Sequence, residues 1–140
     1  MKRLETLGLA VVVVMAMALC GCATLGGQSD EELIAATINL WKSSLETQDL
    51  EMMMAQISED FEGEAGGKEE VKALLSGAID QGYLDDAEVD LVDAETTIEG
   101  ETASVYGLYV ETAMGSASMD LELKKDADGV WRIVGMDVIT

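Results

Sequence analysis

Apolar residues in this chain are spaced in three different ways. They are continuous over residues 7–19, recur every three or four positions from Leu33 to Ile79, and alternate with polar residues from Ala87 onward. A helical stripe repeats at three to four residues and a half-buried strand repeats at two. The pattern therefore predicts helices first and strands afterwards.

The first helix opens at Ser29-Asp30-Glu31-Glu32. Ser29 with Glu32 three residues on is a capping-box pattern, and acids in a first turn complement the helix dipole. Ile34, Ile38, Trp41 and Leu45 form its stripe, widened by Leu33 and Leu40, and the helix should run to about Thr47. Asp49 is the expected N-cap of a shorter helix through Met52, Met53, Met54 and Ile57. Residues 58–67 hold Phe61 among acids and glycines and form a short strand or loop. A third helix starts at Gly67-Lys68-Glu69-Glu70, places Val71, Leu74, Leu75, Ala78 and Ile79 on one face, and stops at Gly82.

Four strands follow. One covers residues 87–98 and turns at Glu99-Gly100-Glu101. The next covers residues 102–111. Simple alternation puts Tyr106, Leu108 and Val110 on one side and Val105 and Tyr109 on the other, so both faces should be apolar and the second should be covered, for example by a homodimer partner. After a turn at Met114-Gly115, Ala117, Met119, Leu121 and Leu123 alternate with polar residues. Asp126-Ala127-Asp128-Gly129 turns into the last strand, residues 130–139. The order gives an α+β fold, with N-terminal helices packed on one face of an antiparallel sheet.

Residues 1–21 stand apart from this plan. Lys2 and Arg3 precede the apolar run, and small residues close it, as in a secretory signal. The run is shorter than the roughly 20 apolar residues a spanning helix needs. Its exit, Leu19-Cys20-Gly21-Cys22, resembles the lipobox of bacterial lipoproteins. The resemblance implies a lipid on Cys22, cleavage before it, and anchoring of the chain to an envelope membrane. Ala23, in place of Asp after the cysteine, implies the periplasmic face of the outer membrane in cells that sort as enterobacteria do. Residues 22–29 would be the lipidated cysteine and its tether, and residues 30–140 the domain.

Charge and composition narrow the chemistry. There are 28 acidic against 8 basic residues, and setting aside Lys2, Arg3 and Glu5 leaves 27 against 6. Such a surface repels phosphate backbones, so nucleic acid is excluded as a partner. The chain has no histidine, and its two cysteines are Cys20 and Cys22. With one removed and the other lipidated, the domain would have no thiol nucleophile, imidazole base or thiolate metal ligand. Neither the cluster Asp85, Asp86, Glu88 and Asp90 nor the pair Asp126 and Asp128 has calcium-loop spacing, so no metal or other cofactor is expected.

The domain as a whole resembles the nuclear transport factor 2-like superfamily. The resemblance rests on the central Trp41, on Leu45-Glu46-Thr47-Gln48-Asp49-Leu50, on Ser58-Glu59-Asp60-Phe61, on Gly67-Lys68-Glu69-Glu70-Val71 and on the closing Asp128-Gly129-Val130-Trp131-Arg132-Ile133-Val134. It implies a cystatin-like cone, in which a curved sheet wraps the helices and leaves a pocket at its open end. Enzymes and binding modules both use that fold, so the fold alone decides no activity.

Three readings follow. Trp41, Met53, Met54, Phe61, Met119 and Met136 could line a pocket for a small apolar ligand, because methionines adapt to varied shapes. The domain would then be a non-enzymatic binding module for that ligand or for an envelope protein. In the second reading, Tyr83, Tyr106 or Tyr109 would pair with Asp120 or Asp137 in a histidine-free isomerase or dehydratase. The third is a dimeric assembly module.

Overall fold

The computed structural model describes residues 27–140. The signal segment and Cys22 lie outside the described residues. Helix α1 spans Asp30–Thr47. Its capping box forms as expected: the Ser29 hydroxyl accepts from the Glu32 amide, and the Glu32 carboxylate accepts from the Ser29 amide. The helix ends at Gln48, which is left-handed at φ 54°. Helix α2 spans Leu50–Ala55, capped by the Asp49 carboxylate on the Met52 amide at 3.0 Å. Helix α3 spans Lys68–Asp80, and Gly82 follows it at φ 75°. Residues 58–67 are a loop.

The strands are β1 (Glu88–Asp90), β2 (Glu95–Glu99), β3 (Thr102–Thr112), β4 (Gly115–Lys125) and β5 (Trp131–Ile139). They form one antiparallel sheet in the order β1-β3-β4-β5, with β2 paired to the other half of the same edge of β3. The single strand expected over residues 87–98 is therefore two. Asp90 accepts from the Val92 amide at 2.8 Å, and that turn breaks the strand. Beyond β5, the chain after α2 runs parallel to Ile133, with Ser58 N–H donating to the Ile133 carbonyl. That covers the first part of the β5 edge.

Two irregularities bend the sheet, one in β3 between Val105 and Leu108 and one between β4 and β5 at Glu122 and Leu123. A bulge adds one residue, which bends the strand and shifts its alternation. In β3 this corrects the expected faces. Val105, Leu108 and Val110 are all buried in the core, while Tyr106 and Tyr109 both point outward and are nearly half exposed. The outer face is not a second apolar face. Its ladder carries Glu95, Tyr106, Asp120 and Asp137 in adjacent strands.

The inner face packs Val89, Val105, Leu108, Leu121, Leu123 and Ile133 against Ile34, Ile38, Trp41 and Leu45 of α1. Met53 and Met54 of α2, and Val71 and Leu75 of α3, complete the core. Residues 27–140 thus carry a core of their own.

Candidate functional site

Helix α1 crosses the sheet diagonally, and two polar anchors set its path. At its start the Asp30 carboxylate accepts from the Trp131 indole at 3.1 Å and from Lys125 at 3.0 Å. The Thr37 hydroxyl donates to the Trp131 carbonyl at 2.8 Å. These tie the N-terminal half to β5. At its other end Glu46 accepts from the Val89 amide at 3.1 Å, and Lys42 donates to Glu46 and to the Val89 carbonyl. These tie the C-terminal half to β1. Hydrogen bonding to a cation and to a backbone amide favours an ionised carboxylate. Lys125 and then Trp131 accordingly hold the Asp30 carboxyl below its ordinary value, and Lys42 and the Val89 amide do so for Glu46.

A helix anchored on β5 and β1 leaves the β2 corner of the sheet uncovered. A cleft of about 420 Å³ opens there. Ile34 and Ile38 of α1 form one wall; Leu91, Ala94 and Ile98 form the other; Val105 is the floor. Glu31, Asn39 and Thr96 supply the polar groups at its edge, with Ala35 exposed on the helix beside them. An apolar concavity with a few polar groups is the usual form of a small-molecule site. A second, larger hollow of about 960 Å³ lies by β1 and includes Glu46, Glu88, Asp90, Tyr109 and Glu111. It is open like the first, and Ala87, Val89, Leu91 and Val92 share its lining with these groups and Lys42.

The residues expected to line a pocket are elsewhere. Trp41, Met53, Met54 and Phe61 are buried core, and none of them borders the α1–β2 cleft. Met136 is partly buried against that core. Met119 borders a shallow hollow of about 260 Å³ with Val110, Met114 and Val138, at the far end of β4. Of the three adjacent methionines, Met53 and Met54 face inward and Met52 is half-buried.

Tyr109 borders the hollow by β1 with Glu88, Asp90 and Glu111, but Asp120 and Asp137, the carboxylates considered as its acid–base partners, do not line it. Tyr83 lies in the turn after α3, exposed. Tyr106, Tyr109, Asp120 and Asp137 all belong to the outer sheet face, and Asp120 and Asp137 are register partners there. Asp120 has a structural partner: it accepts from the Gly107 amide at 2.9 Å. Among the described residues no tyrosine hydroxyl is hydrogen-bonded to a carboxylate, and no group of three acidic, histidine or cysteine side chains is placed to hold a metal.

Ile34 and Ile38 were legible as a helix stripe, but their part in a cleft was not. One signal was available. Inward positions are odd at Val89 and Leu91 and even at Ala94, Thr96 and Ile98. That change of phase marks the strand break which forms the second wall.

Helices followed by a curved antiparallel sheet place this chain in the cystatin-like, nuclear transport factor 2-like class of folds. It is similar to a protein of unknown function with a cystatin-like fold from Nostoc punctiforme, at 21% identity and TM-score 0.62 over 78% of this chain and 89% of that one. An uncharacterised cystatin-like protein from Caulobacter vibrioides is 17% identical, with TM-score 0.64 over 79% and 89%. A nuclear transport factor 2-like protein of unknown function from Pseudomonas putida is 13% identical, with TM-score 0.66 over 81% and 89%. No protein-family profile matches the chain, and no curated protein matches it in sequence.

Proposed function

We propose that this chain is a lipid-anchored protein of the bacterial envelope whose domain holds a small apolar ligand in the α1–β2 cleft without transforming it. The observation that carries the reading is the lining of that cleft. Its walls are Ile34, Ile38, Leu91, Ala94 and Ile98, and among the described residues its only ionisable lining group is Glu31. Ile34 and Ile38 are themselves buried in the core, so an apolar ligand gains, at about 25 cal/mol per Å² removed from water, mainly by covering the partly buried Leu91, Ala94 and Ile98. A reaction would need a converging acid and base, and the lining does not supply that pair. The anchor rests on the lipobox-like Leu19-Cys20-Gly21-Cys22, and two acyl chains on one cysteine suffice for stable attachment.

The test of the site is native mass spectrometry of residues 27–140 purified gently from their own host. The wild-type segment should carry an apolar adduct, and Ala35→Trp, which fills the cleft from an exposed helix position, should remove it. A segment that carries nothing and takes up nothing from an envelope extract overturns the reading. For the anchor, Cys22→Ser should abolish lipid labelling and signal cleavage. A labelled, processed Cys22→Ser protein would show that the lipid is not on this cysteine.

A further inference from the structure

We infer that the ligand of the α1–β2 cleft is a cationic amphiphile, an apolar chain ending in an ammonium-type head, and not a fatty acid or other anion. The inference rests on the reading of the cleft as a ligand site and adds the charge of the ligand. Three observations carry it.

The first is the composition of the edge. Glu31 is its one charged side chain, and the Asn39 amide and Thr96 hydroxyl are the other polar side chains. Only the Glu31 carboxylate selects for charge; the Asn39 amide and Thr96 hydroxyl each donate as well as accept. An anionic head would meet Glu31 with no opposing cation.

The second is the pairing of the two lysines that anchor α1. Lys125 is paired with Asp30 at 3.0 Å. Lys42 is paired with Glu46 at 2.9 Å and also bonds the Val89 carbonyl. Neither lines the cleft, and recruiting either to an anion would break an anchor of α1.

The third is the field around the site. The chain carries a net charge of −20, with Glu95 and Glu99 on the opposite face of β2 from the cleft residues Thr96 and Ile98. Such a field concentrates cations and depletes anions. The positive end of α1 does not reverse this, because Ser29 caps it and Asp30, Glu31 and Glu32 occupy its first turn.

The test compares octylamine, octanol and octanoate by calorimetry on residues 27–140 at low ionic strength and neutral pH. The three share one chain and differ in head charge. Octylamine should bind at least about tenfold more tightly than octanoate, with octanol between, and the gap should narrow as added salt screens the exposed charges. Glu31→Gln should weaken octylamine by about threefold, the scale of one exposed ion pair, and leave octanol unchanged. Octanoate binding as tightly as octylamine, with Ala35→Trp abolishing both, would overturn the head-charge inference and leave the cleft standing. If no probe binds, or if Ala35→Trp changes nothing, the cleft itself is not the site and both statements fall.

Discussion

The Asp120 carboxylate accepts a hydrogen bond from the Gly107 amide at 2.9 Å, spanning β3 and β4 where their register slips. Gly107 has φ 77°, and a Cβ there would sit 3.3 Å from the Asp93 carbonyl oxygen. The bulge thus needs a glycine for its backbone and a carboxylate to hold its free amide. The bulge also lets Val105 and Leu108 share the inner face, so it determines which residues reach the core and the cleft floor.

Replacing Gly107 by Ala should therefore destabilise the domain by about 1–2 kcal/mol, the cost of a left-handed backbone with a side chain. Asp120→Leu should cost a similar amount, about 1–2 kcal/mol, for one lost charge-assisted bond at a partly exposed site. The two changes act on one bulge, so urea titration of the double variant should show less than their sum. Strict additivity would mean that the carboxylate does not hold the bulge.

The two tryptophans make a second comparison. Trp41 and Trp131 are equally buried, but the Trp131 indole donates to Asp30 at 3.1 Å, while the Trp41 indole nitrogen has no partner among the described residues. A buried unpaired donor costs about 1–3 kcal/mol. Trp41→Phe removes that cost along with some packing, so its net effect should stay within about 1 kcal/mol. Trp131→Phe loses packing and a bond to a charged group, and should cost at least about 2 kcal/mol. Urea midpoints measured side by side decide it. A larger loss at Trp41 would mean that its indole does find a partner, such as a buried water.

Thr37 provides a narrower test of how α1 is anchored to β5. Its hydroxyl donates to the Trp131 carbonyl at 2.8 Å from a buried position. Thr37→Val keeps the shape and removes the donor, and should destabilise by about 1–2 kcal/mol. Thr37→Ser retains the donor and should cost less. An equal loss in the two would point to methyl packing rather than the hydrogen bond.

Local signals in the chain account for most of these elements. Ser29 and Glu32, Asp49 and Gly82 mark helix ends through interactions within a few residues, so those ends could be read directly, but α2 stops at Ala55, short of the expected Ile57, which pairs with Ile133 instead. The strand faces could not be read from alternation at Tyr106, because the bulge at Gly107 depends on Asp120, thirteen residues beyond that glycine. The cleft was hidden for the same reason. It arises where α1 leaves the sheet, and that path is set by Asp30 with Trp131 and by Glu46 with Val89, contacts distant in sequence. Methionine-rich positions suggested a pocket by composition, but Met53 and Met54 fill the core instead.

The anchor at Asp30 also predicts a response to acid. Lys125 and Trp131 hold its carboxyl below the ordinary value, so the folded state keeps the proton off at a pH where the unfolded chain takes it up. Its contribution is complete above the ordinary carboxylate range near about pH 4 and is lost as pH falls through the lower folded value. Glu46 and Asp128 are shifted in the same direction, Glu46 by Lys42 and Asp128 by the Val130 amide and Arg132. The wild-type domain should therefore lose stability on acidification from about pH 5 to pH 3. Asp30→Asn should be less stable at pH 7 and should lose less over that interval, because one of these three shifted carboxyls is gone. The urea midpoints of the two proteins should converge as the pH falls. Parallel midpoints from neutral to acid pH would mean that the Asp30 anchor contributes nothing through its charge, and that α1 is held on β5 by Thr37 and packing alone.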